Sequence, residues 1–245
     1  MSVKIPVDAE TGLPDLTEKG RDVRGEVIRT DRRLFMQLLA FGECADTAEV
    51  IAAARELKAP LAIYADANDP YGIAIMGASE YPDFFVTEWR ELFHRPAFAK
   101  LTPKPEYTMM GRSYSIGYEA DLDHVLVNRP IERMTNPDWP WAVYYPLRRA
   151  GAFEKLSVEE QREILGEHGQ LGALFSAGDL GYDIRLDCRG LDKNDNDFVI
   201  GLIGKALFPL SAMVQAMRKT RQTSEFLESI GPFFVGKAIW QQVVA

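Results

Sequence analysis

Residues 164–172 read ILGEHGQLG. One histidine, His168, stands among three glycines, Gly166, Gly169 and Gly172, spaced at i, i+3 and i+6. In a helix each glycine costs about 1 kcal/mol relative to alanine, so three along one stripe need a reason. Ile164, His168, Leu171 and Phe175 fall at i, i+4, i+7 and i+11 and share an apolar face. His168 therefore sits on or beside that face, next to a stripe cleared of side chains. An imidazole nitrogen ligates iron, and the clearing admits something flat, so one reading is the axial ligand of a haem. The other is close helix–sheet packing around a hydrogen-bonded core histidine. Taken alone, the helix favours the second.

A second stretch, WAVYYPLRRAGAF (141–153), joins tyrosines to two arginines. Strand alternation puts Tyr144 and Tyr145 on opposite faces, and Pro146 limits ladder pairing, which suggests an edge or a bulge. A phenol followed by Arg148 and Arg149 offers a hydrogen-bond donor and a bidentate cation, which suits a carboxylate-bearing ligand. A rim tyrosine with two solvated arginines would look the same. The other histidines compete poorly: His94 ends a helix in LFHRP, where a cation complements the dipole, and His124 is expected in a charged loop, DLDHVL. HExxH, G-x-S-x-G, P-loop and G-x-G-x-x-G motifs are all missing, so zinc-protease, serine-hydrolase and nucleotide readings lack support.

These residues must be positioned by a chain of 245 residues, 47% apolar and 11% aromatic, which is ample for a sizeable core. The net charge of −8 argues against a general nucleic-acid or anionic-membrane binder. Two cysteines, Cys44 and Cys188, make neither a disulfide framework nor a cysteine metal site; they read as small apolar side chains of a reducing compartment. The N-terminus lacks a secretory pattern and the apolar runs are too short to span a bilayer. The expectation is a cytoplasmic protein.

Residues 1–30 read as a polar, extended arm that packs on a partner. Strands are expected at 32–41, 60–66, 71–77 and 107–119, and helices at 46–57, capped by Asp46 or Thr47, and at 81–92. That order, β-α-β-β-α-β, is a ferredoxin-like unit. A second unit follows: strands at 141–147, 181–188, 198–204 and 232–240, with helices at 157–175, opened by a Ser157/Glu160 capping box, and at 208–219. Three matches argue for duplication. IAIMG (73–77) and IGLIG (200–204) end in glycines 127 residues apart, Pro82 and Pro209 follow at the same separation, and MMGR (109–112) mirrors FVGK (234–237). The expected class is α+β: two fused ferredoxin-like repeats, 31–120 and 140–245, joined by a linker at 121–139. Two such sheets can close into a dimeric α+β barrel, leaving a pocket between sheet and helices for a large apolar ligand.

In order and spacing, YYPLRR (144–149), EHGQLG (167–172), GLDKNDNDF (190–198) and IGPFFVGK (230–237) resemble the chlorite dismutase family of haem proteins, and most of all its coproheme decarboxylase branch. The resemblance covers about residues 105–240 and is clearest in the second repeat. It implies His168 as the proximal iron ligand, with Gly169 and Gly172 among the glycines that give the macrocycle room. It implies Tyr145 as the residue that becomes a radical. Arg149 falls where the family has a propionate-side lysine, Tyr114 matches a propionate-contacting tyrosine, and Thr223 stands where a serine is expected. Arg129 or Arg133 would add a cation.

The resemblance has two departures. Chlorite-splitting members carry a distal arginine on the strand after the histidine helix, where decarboxylases usually have glutamine. Counting forward from His168 reaches Gly181; counting back from GLD reaches Asp183; Arg185, two residues on, shares the face of Asp183. Where chlorite-splitting members orient their histidine with a glutamate, Gln222 stands here, and a neutral partner leaves the iron less electron-rich. The resemblance thus implies peroxide-dependent oxidative decarboxylation of iron coproporphyrin III (coproheme) to haem b through a radical on Tyr145. The alternatives are a chlorite dismutase converting chlorite to chloride and dioxygen with Arg185 as its distal cation, or a haem-binding protein without catalysis. The implied partners are haem or coproheme and hydrogen peroxide, with no nucleic acid and no membrane span, and the implied assembly is a homo-oligomer, with a pentamer favoured.

Overall fold

The computed structural model describes residues 6–8 and 10–243. Eight strands carry the architecture: β1 Phe35–Gly42, β2 Leu61–Asp66, β3 Ile73–Ser79, β4 Met109–Arg112, β5 Trp141–Arg149, β6 Tyr182–Asp187, β7 Phe198–Gly204 and β8 Phe234–Gln242. Helices α1 Thr47–Arg55, α2 Glu88–His94, α3 Arg129–Thr135, α4 Val158–Ala177, α5 Leu207–Met217 and α6 Arg221–Phe226 lie between them. The first four strands are ordered β4-β1-β3-β2 and the last four β8-β5-β7-β6, so each repeat has the same arrangement. All pairings are antiparallel, and β8 with β2 and β4 with β6 close the two sheets into one ring.

The duplicated glycines have the same physical jobs in both halves. A Cβ on Gly77 would lie 2.5 Å from the ring of Trp89 on α2, and one on Gly204 would lie 3.1 Å from Leu210 on α5. Each glycine thus lets the following helix press on its strand. Gly111 and Gly236 stand at the two closing seams, where a Cβ would meet Leu186 Cβ at 2.8 Å and the Ala65 carbonyl at 2.9 Å respectively.

Alternation sorts the side chains into an interior and two outer cores. Inside the barrel, Met36, Leu38, Tyr64, Met76, Tyr144, Ile184 and Phe234 pack together. Tyr64 and Tyr144, fully buried there, bond through their hydroxyls at 3.2 Å. Leaving one of them unpaired would cost about 1–3 kcal/mol. The outer face of the first repeat is covered by α1 and α2 around Trp89, whose Nε1–H donates to Gln37 at 2.7 Å. The outer face of the second repeat gathers Val143, Tyr145, Leu147, Phe198 and Leu202 beneath α4 and α5.

Several expectations need correcting. The strand expected over 107–119 stops at Arg112, because the backbone beyond it bonds to carboxylates instead of a neighbouring strand. Glu119 accepts the N–H groups of Ile116, Gly117 and Tyr118, and Glu18 accepts that of Ser115. Part of the N-terminal arm is a hairpin, Glu18–Arg21 with Val27–Thr30, docked on this same segment of its own chain through Lys19 N–H to Ser115 and Arg21 N–H to the Glu119 carbonyl. Residues 1–5 and 9 of that arm lie outside the described residues. The helix expected over 81–92 breaks into a 3₁₀ turn, Pro82–Val86, and α2, where the Thr87 hydroxyl donates back to the Asp83 carbonyl. His124 is not in a loop: within the linker it opens a π-helical turn, His124–Asn128, that runs into α3. Leu126 and Met134 of this segment are buried against the barrel interior. No described helix is long and apolar enough to cross a membrane, and both cysteines are buried and free.

Candidate functional site

Helix α4 starts at the expected capping box, with Ser157 accepting from Glu160 N–H and Glu160 accepting in return. Only Ile164 of its twenty residues is fully buried, so the helix stands off the sheet it covers. A Cβ on Gly166 or Gly169 would meet nothing within 4 Å, and one on Gly172 would make ordinary contact with Met217 at 3.6 Å. Close packing therefore does not explain the first two glycines.

His168 is half-buried, and its Nδ1 lies 3.4 Å from Thr220 Oγ1. The Thr220 hydroxyl donates to the Met217 carbonyl at 2.8 Å, so toward the imidazole it can only accept. That sets the tautomer: Nδ1 carries the proton and Nε2 keeps its lone pair. Burial pushes the imidazole pKa below its ordinary value, against the opposing pull of Asp183. The result is a neutral histidine with one free nitrogen, the form that binds a metal. Gln222, expected as the orienting partner, is buried in α6 and makes no hydrogen bond to His168. Thr220, two residues earlier, does that work, and no sequence motif marked it. The Thr223 hydroxyl, expected at a propionate, lies 3.4 Å from Thr220 Oγ1.

Across from α4, the sheet presents a row of outward side chains. Tyr145 is buried in the outer core, stacked on Phe233 with ring centroids 4.6 Å apart. Burial, then the Asp183 charge, raises its phenol pKa, so it stays protonated. Tyr145 pairs in register with Ile200, and Ile200 with Arg185. Ile184 and Leu186 face the interior, so Asp183 and Arg185 face outward. Gly181 is not a distal candidate: it precedes the strand, and a Cβ there would strike Leu210 at 2.9 Å.

Cations surround this face. Arg185 Nε lies 2.9 Å from Asp183 Oδ2, and Arg133 Nη1 lies 3.0 Å from Asp183 Oδ1. Arg129 sits one turn before Arg133 on α3, and burial followed by the neighbouring Arg133 and Arg185 lowers its pKa. Arg149 lies over the rings of Phe153 and Phe198, at 4.3 and 5.0 Å from their centroids. Its Nε is buried with no hydrogen-bond partner among the described residues. An unpaired buried donor on a cation costs more than a neutral one, and a carboxylate would satisfy it. Tyr114 packs on Phe198 at 5.8 Å, its phenol pKa raised by burial with Arg185 and Arg149 opposing. Arg148 turns away, onto the carbonyls of Asn194 and Asp195. Thus His168, Tyr145, Arg185, Arg149, Tyr114, Arg129 and Arg133 converge on one face around Asp183.

The sequence model of the chlorite dismutase family matches residues 73–239. This chain belongs to that family. No curated protein matches its sequence. Solved structures share the fold. A haem-binding protein from Thermus thermophilus is 18% identical with a TM-score of 0.68, over 85% of this chain and 92% of that one. A variant chlorite dismutase from Candidatus Nitrospira defluvii in complex with cyanide is 16% identical with a TM-score of 0.67, over the same shares. The chlorite dismutase of that organism in complex with imidazole is 14% identical with a TM-score of 0.64, again over 85% and 92%. At such identities the likeness is one of fold.

The residues fit the family's prosthetic group. An iron porphyrin needs one free nitrogen and cations for its carboxylates, and this face has both, His168 Nε2 and the unpaired Nε of Arg149, while Gly166 and Gly169 leave α4 open beside the histidine.

Proposed function

We propose that this chlorite dismutase family protein binds an iron porphyrin through His168 and decarboxylates coproheme to haem b with hydrogen peroxide. The observation that carries the reading is the pairing of a neutral imidazole on α4 with a buried, protonated phenol, Tyr145, on the sheet face it covers. Bound there, the iron of the substrate would supply the oxidising power of peroxide.

The chain's own residues then have defined tasks. Thr220 fixes the tautomer that leaves Nε2 for the iron. Arg149, with its spare donor, and Tyr114 receive carboxylates, and Arg129 and Arg133 add positive charge at the neighbouring edge. Tyr145 Oη would give an electron to the peroxide-oxidised substrate and release its proton, becoming a phenoxyl radical. It would then take a hydrogen atom from a substrate propionate and return to the phenol. The carbon radical passes its remaining electron to the oxidised substrate as carbon dioxide leaves and the vinyl group forms. Each vinyl group thus uses one hydrogen peroxide, which ends as two waters. Apolar Ile200 and Phe233 shield that radical from water.

The test adds ferric coproheme and then peroxide in small steps, with porphyrins read by mass spectrometry. Stepwise loss of two carboxyl groups, ending in haem b, is the expected result. Coproheme that binds and is only bleached overturns the reading. Arg185 on the row of Tyr145 favours one other activity, chlorite splitting, which rapid dioxygen release from chlorite in an oxygen electrode would reveal.

A further inference from the structure

Asp183 holds the centre of the cationic face. Its two oxygens are both engaged, Oδ2 by Arg185 Nε at 2.9 Å and Oδ1 by Arg133 Nη1 at 3.0 Å, and Arg133 also bonds the Asp183 carbonyl. Burial alone would raise its carboxyl pKa, but Arg185 and Arg133 outweigh burial and hold it below the ordinary carboxylate range. The carboxylate is therefore charged wherever the protein is folded at neutral pH. Its charge reaches His168, Tyr145 and Tyr114 as well as the arginines.

An arginine in this position would ordinarily draw a small anion into the site. Here its guanidinium is ion-paired with the residue two places before it, and part of its charge is offset. A second anion approaching Arg185 meets the Asp183 carboxylate at nearly the same distance, and the two Coulomb terms oppose. A neutral molecule of similar size pays no such penalty. We propose that Asp183 withholds Arg185 from small anions, so that the site admits a neutral oxidant, hydrogen peroxide, in preference to an anionic one of the chlorite type. This rests on the haem-site reading above, and it makes Asp183 a specificity-determining residue.

The experiment compares equilibrium binding of fluoride and imidazole to the ferric, haem-loaded protein at pH 7.5, read from the absorption spectrum, with no turnover involved. Asp183→Asn should bind fluoride roughly tenfold more tightly than the wild type. Imidazole affinity should change less than about twofold. Adding Arg185→Ala to Asp183→Asn should abolish the gain. Unchanged fluoride affinity, an equal gain for imidazole, or a gain that survives the double substitution would each overturn the proposal. A protein that takes up no haem sinks the functional reading instead. The ion pair is then decided on the haem-free chain, by a double-mutant cycle of urea midpoints over Asp183→Asn, Arg185→Ala and both together. A non-additive cycle is expected, and an additive one would refute the pairing.

Discussion

Tyr145 and Arg185 lie on one cross-strand row, each paired in register with Ile200 of β7 from opposite sides. Directly opposed residues share a face, so both side chains leave the sheet toward α4. With strands about 4.8 Å apart, the phenol and the guanidinium are held roughly 10 Å apart at the backbone. The sheet fixes that spacing, and no loop intervenes. A group that reacts at Tyr145 is therefore within reach of whatever charge Arg185 retains.

Tyr145→Phe removes the oxygen and leaves the ring stacked on Phe233. Coproheme affinity should hold within about twofold, while decarboxylation falls by at least about a hundredfold. Porphyrin mass spectrometry on both proteins checks this, and normal conversion by the variant removes the radical role.

Thr220→Val keeps the shape of the side chain and deletes the acceptor of the His168 proton. Loss of such an orienting partner weakens metal affinity by about ten- to a hundredfold. A Soret-band titration should show that drop, with Thr220→Ser restoring it. Equal affinities in all three would mean that the imidazole is oriented by something else.

Gly169→Ala should separate fold from ligand. Nothing lies within 4 Å of the added methyl, so the haem-free protein should gain about 1 kcal/mol from helix propensity. Haem affinity should fall, because the methyl enters the clearing. Denaturant midpoints and haem titration read the two effects with opposite signs.

Arg149→Ala removes the cation whose Nε lacks a partner. Coproheme, with four carboxylates, should lose about tenfold in affinity, and haem b, with two, distinctly less. Equal losses for both would place Arg149 away from the extra carboxylates.

The histidine also sets a pH dependence. The pKa of His168 is lowered in the folded protein, so below the ordinary value of about 6.5 the unfolded chain binds the proton first. The stability of the neutral imidazole is complete above that value and drains away as pH falls through the lowered one. Urea midpoints between pH 8 and pH 5 should therefore fall more for the wild type than for His168→Gln.

The duplication was legible because each repeated glycine answers to the same steric demand, Gly77 and Gly204 under a helix, Gly111 and Gly236 at a seam. Alternation likewise put Tyr144 and Tyr145 on opposite faces, and the structure has Tyr144 inside and Tyr145 outside. What stayed hidden depends on contacts distant in sequence. The strand after Arg112 fails because Glu18, nearly a hundred residues away, and Glu119 take its donors. Thr220 becomes the partner of His168 through packing of α6 on α4 across 52 residues. The distal position, too, stayed open among Gly181, Asp183 and Arg185, which lie two residues apart, because strand alternation puts all three on one face and cannot separate them; the start of the strand at Tyr182 removes Gly181.

The two seams of the barrel differ in strength. Strand β8 pairs with β2 over six residue pairs, whereas β4 meets β6 at the single pair Arg112 and Asp187. Mechanically the molecule is a split ring, hinged on the long seam and fastened on the short one by little more than one rung. Its thinnest line runs along the edge of β6, the strand that carries Asp183 and Arg185. That slit leads into the packed interior, so a ligand reaching the outward face of Tyr145 and Arg185 passes beneath α4 and leaves the ring closed.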